Sequence, residues 1–352
     1  MKIAVLGSGY SGLAVSWFLL ALTQGKATID IFDPVPLGGG ASGLSSGLLH
    51  TFPGYRALKP KLADRCLEAT HSLITAASKS IKQPIVISKG ILRPAFETEQ
   101  INLFQTRASE YPGELEWWDR TKCETKVIGL TLPEEGGGLF IPGGLTLDND
   151  AYLDGLWNAC ASMGTQLYDE LIENLDDIKD FYDQIIITAG ANCDLIPSMQ
   201  NIPTTKNKGQ ILEVKWPEEL PKLPFSINSR KYMVAGTREN NICILGSTFE
   251  HNQIENEPDP EVAKQEILEK LLPIFPALSE AEILNCYSGF RCSSPTKKPL
   301  IGKTPEGYWF LLGLGSKGLL YHALCGEMLA QSILANTLSY VDLELLYSAP
   351  QN

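Results

Sequence analysis

The sequence predicts an α/β protein in two parts, one around a mainly parallel sheet and one around a mixed, largely antiparallel sheet. A strand–turn–helix–strand unit at residues 1–33 and a buried-strand run at residues 184–190 predict the first part. Apolar and polar residues alternate at residues 208–214 and 231–249, which predicts the antiparallel sheet of an α+β second part.

The first unit begins with a short apolar strand at residues 2–6, which a glycine turn at residues 7–12 follows directly. An apolar run at residues 13–23 is long enough for a helix, and residues 27–33 form a second strand that ends on an acid. A glycine turn between a strand and a helix is the dinucleotide-binding fingerprint in its required context, which predicts a Rossmann-like fold.

The residues of this fingerprint have separate physical roles. Gly7 permits the sharp turn, Gly9 lets the backbone approach a pyrophosphate, and Gly12 lets the helix pack close to the sheet. Ser11 lies in the same turn, at a helix N-terminus whose free N–H groups favour phosphate. Asp33 is placed to accept the ribose hydroxyls of an adenosine and disfavours NADP, so NAD and FAD both stay open at this point.

Composition limits the function further. The chain has 352 residues, enough for two domains, and its 29 basic and 41 acidic residues give a net charge of −12, which brings no general attraction to nucleic acid or anionic lipid. The eight cysteines form no CxxC pair and the four histidines have no metal-ligand spacing, so we expect reduced thiols and no metal. The first strand begins at residue 2 and no apolar run is long enough for a membrane span, so we expect a cytoplasmic protein without a leader.

A segment of small residues follows the second strand. Residues 34–49 are rich in glycine and serine but end in two leucines, whereas a flexible linker would be more polar. Small residues let a backbone lie against a flat ligand, and their N–H groups can bind phosphate or ring carbonyls. Such a segment directly after the adenosine-binding acid favours FAD, which lies extended across its domain, over NAD.

The remaining elements divide the chain. Helices are predicted at residues 55–82, 97–109, 148–163 and 258–272, strands at residues 85–92, 139–141 and 166–168, and a packed aromatic pair at Trp117 and Trp118. Ala189 and Gly190 follow the strand at residues 184–187 and are expected at the dinucleotide site. The Rossmann-like cofactor domain is therefore discontinuous. We assign residues 1–80, 144–200 and 285–352 to the cofactor-binding domain, and residues 81–143 and 201–284 to the substrate domain.

The C-terminal region carries a second glycine turn. A strand at residues 309–312 leads into Gly-Leu-Gly-Ser-Lys-Gly and then into a helix at about residues 318–335. If this helix N-terminus meets a flavin ring, its positive end stabilises the negative charge of the reduced ring, and Lys317 adds a charge. Arg291 is expected in a loop, where its guanidinium fits a carboxylate with two parallel hydrogen bonds or makes a structural salt bridge.

Together, these motifs resemble the D-amino-acid oxidase superfamily of FAD-dependent oxidoreductases, to which glycine and sarcosine oxidases belong. The likeness spans nearly the whole chain in order and rests on the fingerprint, GGGASGLSSGLL, IIITAGA, GFRCSSPTKKPLIG and GLGSKGLL. The C-terminal part is most similar to the flavin domain of the bifunctional enzyme that modifies the tRNA wobble uridine by removing a carboxymethyl group.

The resemblance implies an FAD that is bound without a covalent link. The residues implied to contact it are Gly7, Gly9, Gly12, Asp33, Ala41, Ser42, Ser46, Gly47, Leu48, Gly315, Ser316, Lys317, Gly318 and Leu319. It also implies that Arg291 holds a substrate carboxylate and that Tyr232 lies over the same group. The sequence departs from the family at Ser294–Thr296, where the usual Thr-Pro-Asp loses its acid, so the hydrogen bonds of that loop are an open question.

We therefore expect an FAD-dependent amine or amino-acid oxidase or dehydrogenase that oxidises the C–N bond of an amino acid or N-substituted glycine by hydride transfer to flavin. Arg291, Tyr232 and Lys317 are the expected catalytic residues. One alternative is oxidative modification of the tRNA wobble uridine, supported by the C-terminal similarity and a basic run at residues 56–65. The other is a flavin-binding scaffold without turnover, supported only by the missing acid.

Overall fold

The secondary structure follows the predicted order over the residues that the computed structural model describes, which are 1–235, 241–251, 253 and 255–347. The helices within these ranges are α1 (Tyr10–Leu22), α2 (Ala63–Ser78), α3 (Thr98–Glu110), α4 (Arg120–Lys126), α5 (Asn149–Ala161), α6 (Pro260–Leu271) and α7 (Gly318–Ala335). The strands are β1 (Lys2–Leu6), β2 (Thr28–Phe32), β3 (Leu48–Leu49), β4 (Val86–Ala95), β5 (Glu116–Asp119), β6 (Gly137–Leu147), β7 (Gln166–Tyr168), β8 (Gln184–Ile187), β9 (Thr205–Lys215), β10 (Ser226–Asn228), β11 (Tyr232–Ala235), β12 (Ile242–Gly246), β13 (Glu250–His251), β14 (Ile283–Ser293), β15 (Leu300–Lys303) and β16 (Trp309–Leu312).

The smaller sheet has six strands in the order β15-β16-β8-β1-β2-β7. All neighbouring pairs are parallel except β15 and β16. Its central strand β1 is buried on both faces: Ile3 and Val5 pack into a core shared with α1, α2, α5 and α7, whereas Ala4 and Leu6 pack into a separate core on the other face. This architecture confirms the predicted α/β part.

The larger sheet has ten strands, and its main path runs in the order β13-β9-β12-β11-β10-β4-β6-β3. Strand β14 adds to β9 and β5 adds to β6, and every pair is antiparallel except β10 with β4. This arrangement confirms the predicted mixed, largely antiparallel sheet. The predicted strand region at residues 231–249 includes residues 236–240, which lie outside the described residues.

Arg291 lies in a strand, so the prediction of a loop at this residue is wrong. The antiparallel ladder of β14 with β9 continues through Gly289 to Ser293 and pairs Arg291 with Asn207. A glycine inside a strand weakens it but does not end it when the ladder on both sides is formed. Strand β14 therefore belongs to the larger sheet, although the sequence assigned residues from 285 onward to the cofactor-binding domain; the division into domains stays a prediction.

Two smaller expectations concern local packing. The helix predicted at residues 55–82 is shorter, since α2 spans Ala63–Ser78 and Pro60 interrupts the chain before it. Trp118 packs as expected, since its buried ring stacks on Phe140 with ring centroids 4.0 Å apart.

Within the described part of the chain, no helix combines the length and apolar character needed to cross a membrane.

Candidate cofactor and substrate site

A cavity of about 1020 Å³ opens at the carboxyl ends of β1, β2 and β8 and reaches β11 and β14 of the larger sheet. This volume lies at the upper end of the roughly 300–1,000 Å³ that ligand and cofactor sites occupy. The carboxyl edge of a parallel sheet is where ligands bind in open α/β folds. The predicted site residues that line the cavity are Gly7, Gly9, Ser11, Asp33, Ala41, Ser42, Ser46, Leu48, Ala189, Gly190, Tyr232, Arg291, Gly315, Ser316, Lys317, Gly318 and Leu319.

Two predicted cofactor residues, Gly12 and Gly47, do not line the cavity. A side chain on Gly12 would collide with the Gly7 carbonyl and would lie 2.9 Å from Thr188 Oγ1, so this glycine allows α1 to pack against the sheet, as expected. Gly47 has a φ of +68°, and a Cβ added to it would collide with the Leu147 carbonyl. Both glycines shape the wall of the cavity instead of touching its contents.

The adenosine end of the cavity is organised around Asp33. The backbone N and the Oγ of Ser8 donate to Asp33 Oδ2 at 2.7 and 2.8 Å, and the Val35 N–H donates to Oδ1 at 3.2 Å. A carboxylate has about four acceptor sites, so Asp33 keeps about one of them for a ribose hydroxyl. Ser8 escaped the sequence analysis because its role depends on the fold of β2 beside β1.

The small-residue segment at residues 41–48 covers the N-terminus of α1. Ser42 Oγ accepts the Tyr10 N–H at 3.1 Å, and a side chain on Gly9 would lie 2.8 Å from that same oxygen. The wall therefore has no room for a Cβ beside a helix N-terminus that favours phosphate. Together with the remaining acceptor site of Asp33 and a lining that runs from Asp33 to the N-terminus of α7, these features fit an extended FAD.

The opposite end of the cavity meets the N-terminus of α7. Gly315–Lys317 forms a 3-10 turn that leads into α7, and Lys317 Nζ donates to the Lys297 carbonyl at 3.0 Å. Burial, together with Lys297 and Lys298, lowers the pKa of Lys317. Lys317 therefore lines the cavity while its ammonium group is tied to the neighbouring loop.

That neighbouring loop contains the Ser-Pro-Thr departure from the family pattern. Ser294 Oγ donates to the Lys298 carbonyl at 2.5 Å, accepts the Lys298 N–H at 3.1 Å and lies 3.3 Å from Thr296 Oγ1. Hydroxyl groups thus close the loop without an acid. This answers the question that the sequence left open about the hydrogen bonds of the loop.

Arg291 lines the cavity with its guanidinium against the backbone of Gly209. Its Nη2 donates to Ser247 Oγ at 2.8 Å and its Nη1 to the Thr248 carbonyl at 3.5 Å. No carboxylate pairs with it among the described residues, so the alternative of a structural salt bridge finds no partner there. Burial lowers the pKa of Arg291, a sign that the guanidinium lacks a compensating anion.

Ser247 connects the two predicted carboxylate ligands. Its side chain hydrogen-bonds Tyr232 as well as Arg291, and burial raises the pKa of Tyr232 to about 12, against a smaller lowering by Arg291. The Ser247 carbonyl accepts Lys231 Nζ at 2.6 Å, and Lys231 is only 6% exposed. Sequence reasoning missed Ser247, Lys231 and Gly209; the glycine in the interior of β9 was the one available signal, since such glycines mark close approaches.

A buried polar cluster holds together the helix N-termini beside the cavity. His322 on α7 is 0% exposed; its Nε2 lies 2.7 Å from Tyr152 Oη and its Nδ1 lies 3.0 Å from the Leu319 carbonyl. Tyr10 Oη donates to Asn149 Oδ1 at 2.5 Å, and the Asn149 amide donates to the Ser45 carbonyl. The cluster therefore ties α1, α5, α7 and the small-residue segment to one another.

We expect this cluster to make the fold acid-sensitive. Burial lowers the pKa of His322 from 6.5 to about 4. As the pH falls from 6.5 towards 4, this histidine is therefore protonated in the unfolded chain but stays neutral in the folded protein. His322 alone then lowers the free energy of unfolding by about 2 kcal/mol at about pH 5 relative to about pH 7.5. Urea unfolding of the parent and of His322→Gln at both pH values measures it, and an equal loss in the two proteins would contradict the assignment.

The parallel sheet with its glycine turn and the cavity that joins it to an antiparallel sheet define a dinucleotide-binding protein of the two-sheet flavoprotein class. The sequence profile described as FAD dependent oxidoreductase (DAO) matches residues 2–332. The chain belongs to this family, and its cofactor is FAD. The prediction of the D-amino-acid oxidase superfamily is thereby confirmed.

Curated relatives match parts of the chain. The bifunctional protein ThiO/ThiG of Nostoc sp. (strain PCC 7120) is 25% identical over 230 residues, which are 60% of this chain and 34% of that protein. The tRNA 5-methylaminomethyl-2-thiouridine biosynthesis bifunctional protein MnmC of Paracidovorax citrulli is 32% identical over 133 residues, which are 33% of this chain and 21% of that protein. The chain thus spans about a third or less of the length of these relatives.

Solved structures match the fold along the whole chain. Iminodiacetate oxidase from Chelativorans sp. BNC1 superposes with a TM-score of 0.81 at 19% identity and covers 99% of this chain and 100% of its own. Glycine oxidase from Geobacillus kaustophilus gives a TM-score of 0.81 at 18% identity and covers 100% of both chains. At these identities the likeness is one of fold.

Proposed function

We propose that the protein oxidises the C–N bond of a small amino acid or N-substituted glycine. The observation that supports this most directly concerns Arg291, whose guanidinium lies in the cavity wall. It has a hydroxyl and a carbonyl as hydrogen-bond partners and pairs with no carboxylate among the described residues. When bound, FAD supplies the two-electron oxidation. The names of two structural neighbours, glycine oxidase and iminodiacetate oxidase, agree with a substrate that carries an amine beside a carboxylate.

Arg291 and Tyr232 bind and orient the substrate in this proposal. The guanidinium offers two N–H groups to a carboxylate, and such charge-assisted pairs are stronger than neutral hydrogen bonds. The Tyr232 hydroxyl stays protonated, because burial raises its pKa to about 12, so it donates to the same anion. Ser247 holds both side chains, which limits the orientations that a bound carboxylate can take.

The protonation state of the amine is left to solvent. The acidic residues among the described lining are Asp33 and Glu170, and both belong to the adenosine end. His50 Nδ1 already accepts the Phe52 N–H at 3.2 Å. Lys231 also lines the cavity, but its Nζ already donates to the Ser247 carbonyl at 2.6 Å. We therefore place no base near Arg291 among the described lining residues, and the site selects substrate whose amine is already neutral. We expect the rate to rise with pH until the amine of the substrate is deprotonated.

A substrate attached to tRNA is the second candidate, because a relative that modifies tRNA is 32% identical over 133 residues. The basic run is weaker than the sequence implies. Lys59 pairs with Asp64 and Glu114, each at 2.7 Å, and Lys61 lies 3.7 Å from Glu344. We therefore prefer a free small molecule as the substrate.

We also propose that the protein is cytoplasmic, because its eight cysteines are free thiols.

Anaerobic reduction of the purified holoenzyme tests the proposal. We expect glycine, sarcosine, iminodiacetate or a D-amino acid to bleach the flavin absorbance, and an Arg291→Ala protein to bleach much more slowly at the same concentration. Bleaching by carboxymethylaminomethyl-modified tRNA alone, with a steep dependence on salt, would replace the proposal with the second candidate. A flavin that none of these compounds reduces would refute the assignment.

A further inference from the structure

His50 presents a hydrogen-bond donor to the cavity that the sequence analysis did not assign. It follows β3 directly and lines the cavity two residues beyond Leu48. The Phe52 N–H donates to His50 Nδ1 at 3.2 Å, so the ring proton of a neutral imidazole is on Nε2. No partner of Nε2 occurs among the described residues, which leaves this N–H to a bound molecule.

Burial, with a smaller effect from the buried guanidinium of Arg93, keeps His50 neutral. Arg93 is 6% exposed and holds the same loop, because its Nη1 donates to the Phe52 carbonyl at 2.8 Å and its Nη2 to the Gly54 carbonyl at 2.6 Å. Its Nε has no partner in the described structure. Burial and the charge of Arg93 lower the pKa of His50 to about 3, so the ring is a neutral donor in a field that favours an anion.

The loop that carries His50 is joined to the strand that carries Tyr232. Tyr55 Oη donates to Glu97 Oε2 at 3.4 Å, and Arg230 forms an ion pair with the same carboxylate. Arg230 lies two residues before Tyr232 and, like Tyr55, lines the cavity. His50 follows β3, which belongs to the same larger sheet as β11, whereas Asp33 follows β2 of the smaller sheet; His50 therefore lines the cavity on the side of the sheet that carries Tyr232.

We propose that His50 Nε2 donates a hydrogen bond to a second anionic group of the substrate, so that the preferred substrate is an N-substituted glycine with two carboxylates. The inference rests on the proposed function, in which Arg291 holds the first carboxylate. A neutral N–H with a buried guanidinium behind it binds a carboxylate without leaving a bare cation in the cavity when the substrate departs.

Two unreactive ethers test the two proposed carboxylate sites independently. Diglycolate has two carboxylates and methoxyacetate has one, and each replaces the oxidisable amine with oxygen. Titrations of the holoenzyme followed by flavin absorbance are expected to give diglycolate about a tenfold lower Kd, since hydrogen bonds to charged groups are worth about that factor. His50→Leu is expected to remove this preference, whereas His50→Gln, whose side-chain amide donates from a similar position, is expected to keep most of it.

The controls distinguish this inference from the proposed function. Methoxyacetate that perturbs the parent but not Arg291→Ala supports the function, and a diglycolate preference that is absent in the parent or unchanged in His50→Leu then overturns the inference alone. Loss of FAD from His50→Leu, with restored binding in His50→Gln, would also overturn it, because the donor would then serve the cofactor. If neither acid perturbs the parent, both proposals are wrong.

Discussion

Replacing Arg291 with alanine is expected to lower kcat/KM for a carboxylate substrate by about 30- to 4,000-fold while FAD stays bound. Truncating one partner of a desolvated charge pair costs about 2–5 kcal/mol, which converts to this range. The loss includes orientation, because Ser247 and Tyr232 keep their places but no longer share a bound anion with a guanidinium. Stopped-flow reduction over a range of substrate concentrations separates weaker binding from a slower step.

Two further variants test whether the effect belongs to the guanidinium. Arg291→Lys keeps a positive charge but loses the planar pair of donors, so we expect an intermediate loss. Arg120→Ala is a matched control, because Arg120 forms a partly exposed ion pair with Glu124 on α4 and does not line the cavity. An Arg291→Ala enzyme within twofold of the Arg120→Ala enzyme would contradict the carboxylate assignment.

Replacing Gly12 with alanine is expected to abolish FAD binding. The added Cβ would collide with the Gly7 carbonyl and lie 2.9 Å from Thr188 Oγ1. Neither neighbour can give way easily, because the Gly7 N–H is bonded to the Phe32 carbonyl and the Thr188 N–H to the Leu6 carbonyl, each at 2.8 Å. The glycine turn and the start of α1 would have to separate, which removes the phosphate site. The flavin-to-protein absorbance ratio after purification measures the outcome.

Glycines in other settings provide the controls. Gly143 in β6 has nothing within 4 Å of a Cβ and lies outside the cavity lining, so Gly143→Ala is expected to bind FAD like the parent. Gly9→Ala is expected to give partial loss, because its Cβ would meet a serine side chain that can rotate but that also accepts the Tyr10 N–H. Stoichiometric FAD in a folded Gly12→Ala protein would refute the packing role.

Local patterns in the sequence were enough to predict the smaller, mainly parallel sheet. Strands β1, β2, β8 and β16 occur where short apolar runs predict them, because a strand buried on both faces carries that signal in its own residues. The larger, mostly antiparallel sheet was harder to predict from the sequence. Arg291 was assigned to a loop because a glycine and small residues surround it, while the partner that keeps it in a strand, β9, is far away in the sequence.

The FAD cofactor follows from the sequence, and so do the acid and the glycines that we expect to hold it, because a glycine turn, a helix start and the next strand are contiguous and their spacing is set by backbone sterics. The substrate end depends on long-range antiparallel pairing. That pairing brings Arg291 against Gly209 and connects both Arg291 and Tyr232 to Ser247. It pairs the guanidinium with no carboxylate among the described residues. Which side chains share such a wall is a property of strand register, and register is decided by the packed sheet as a whole.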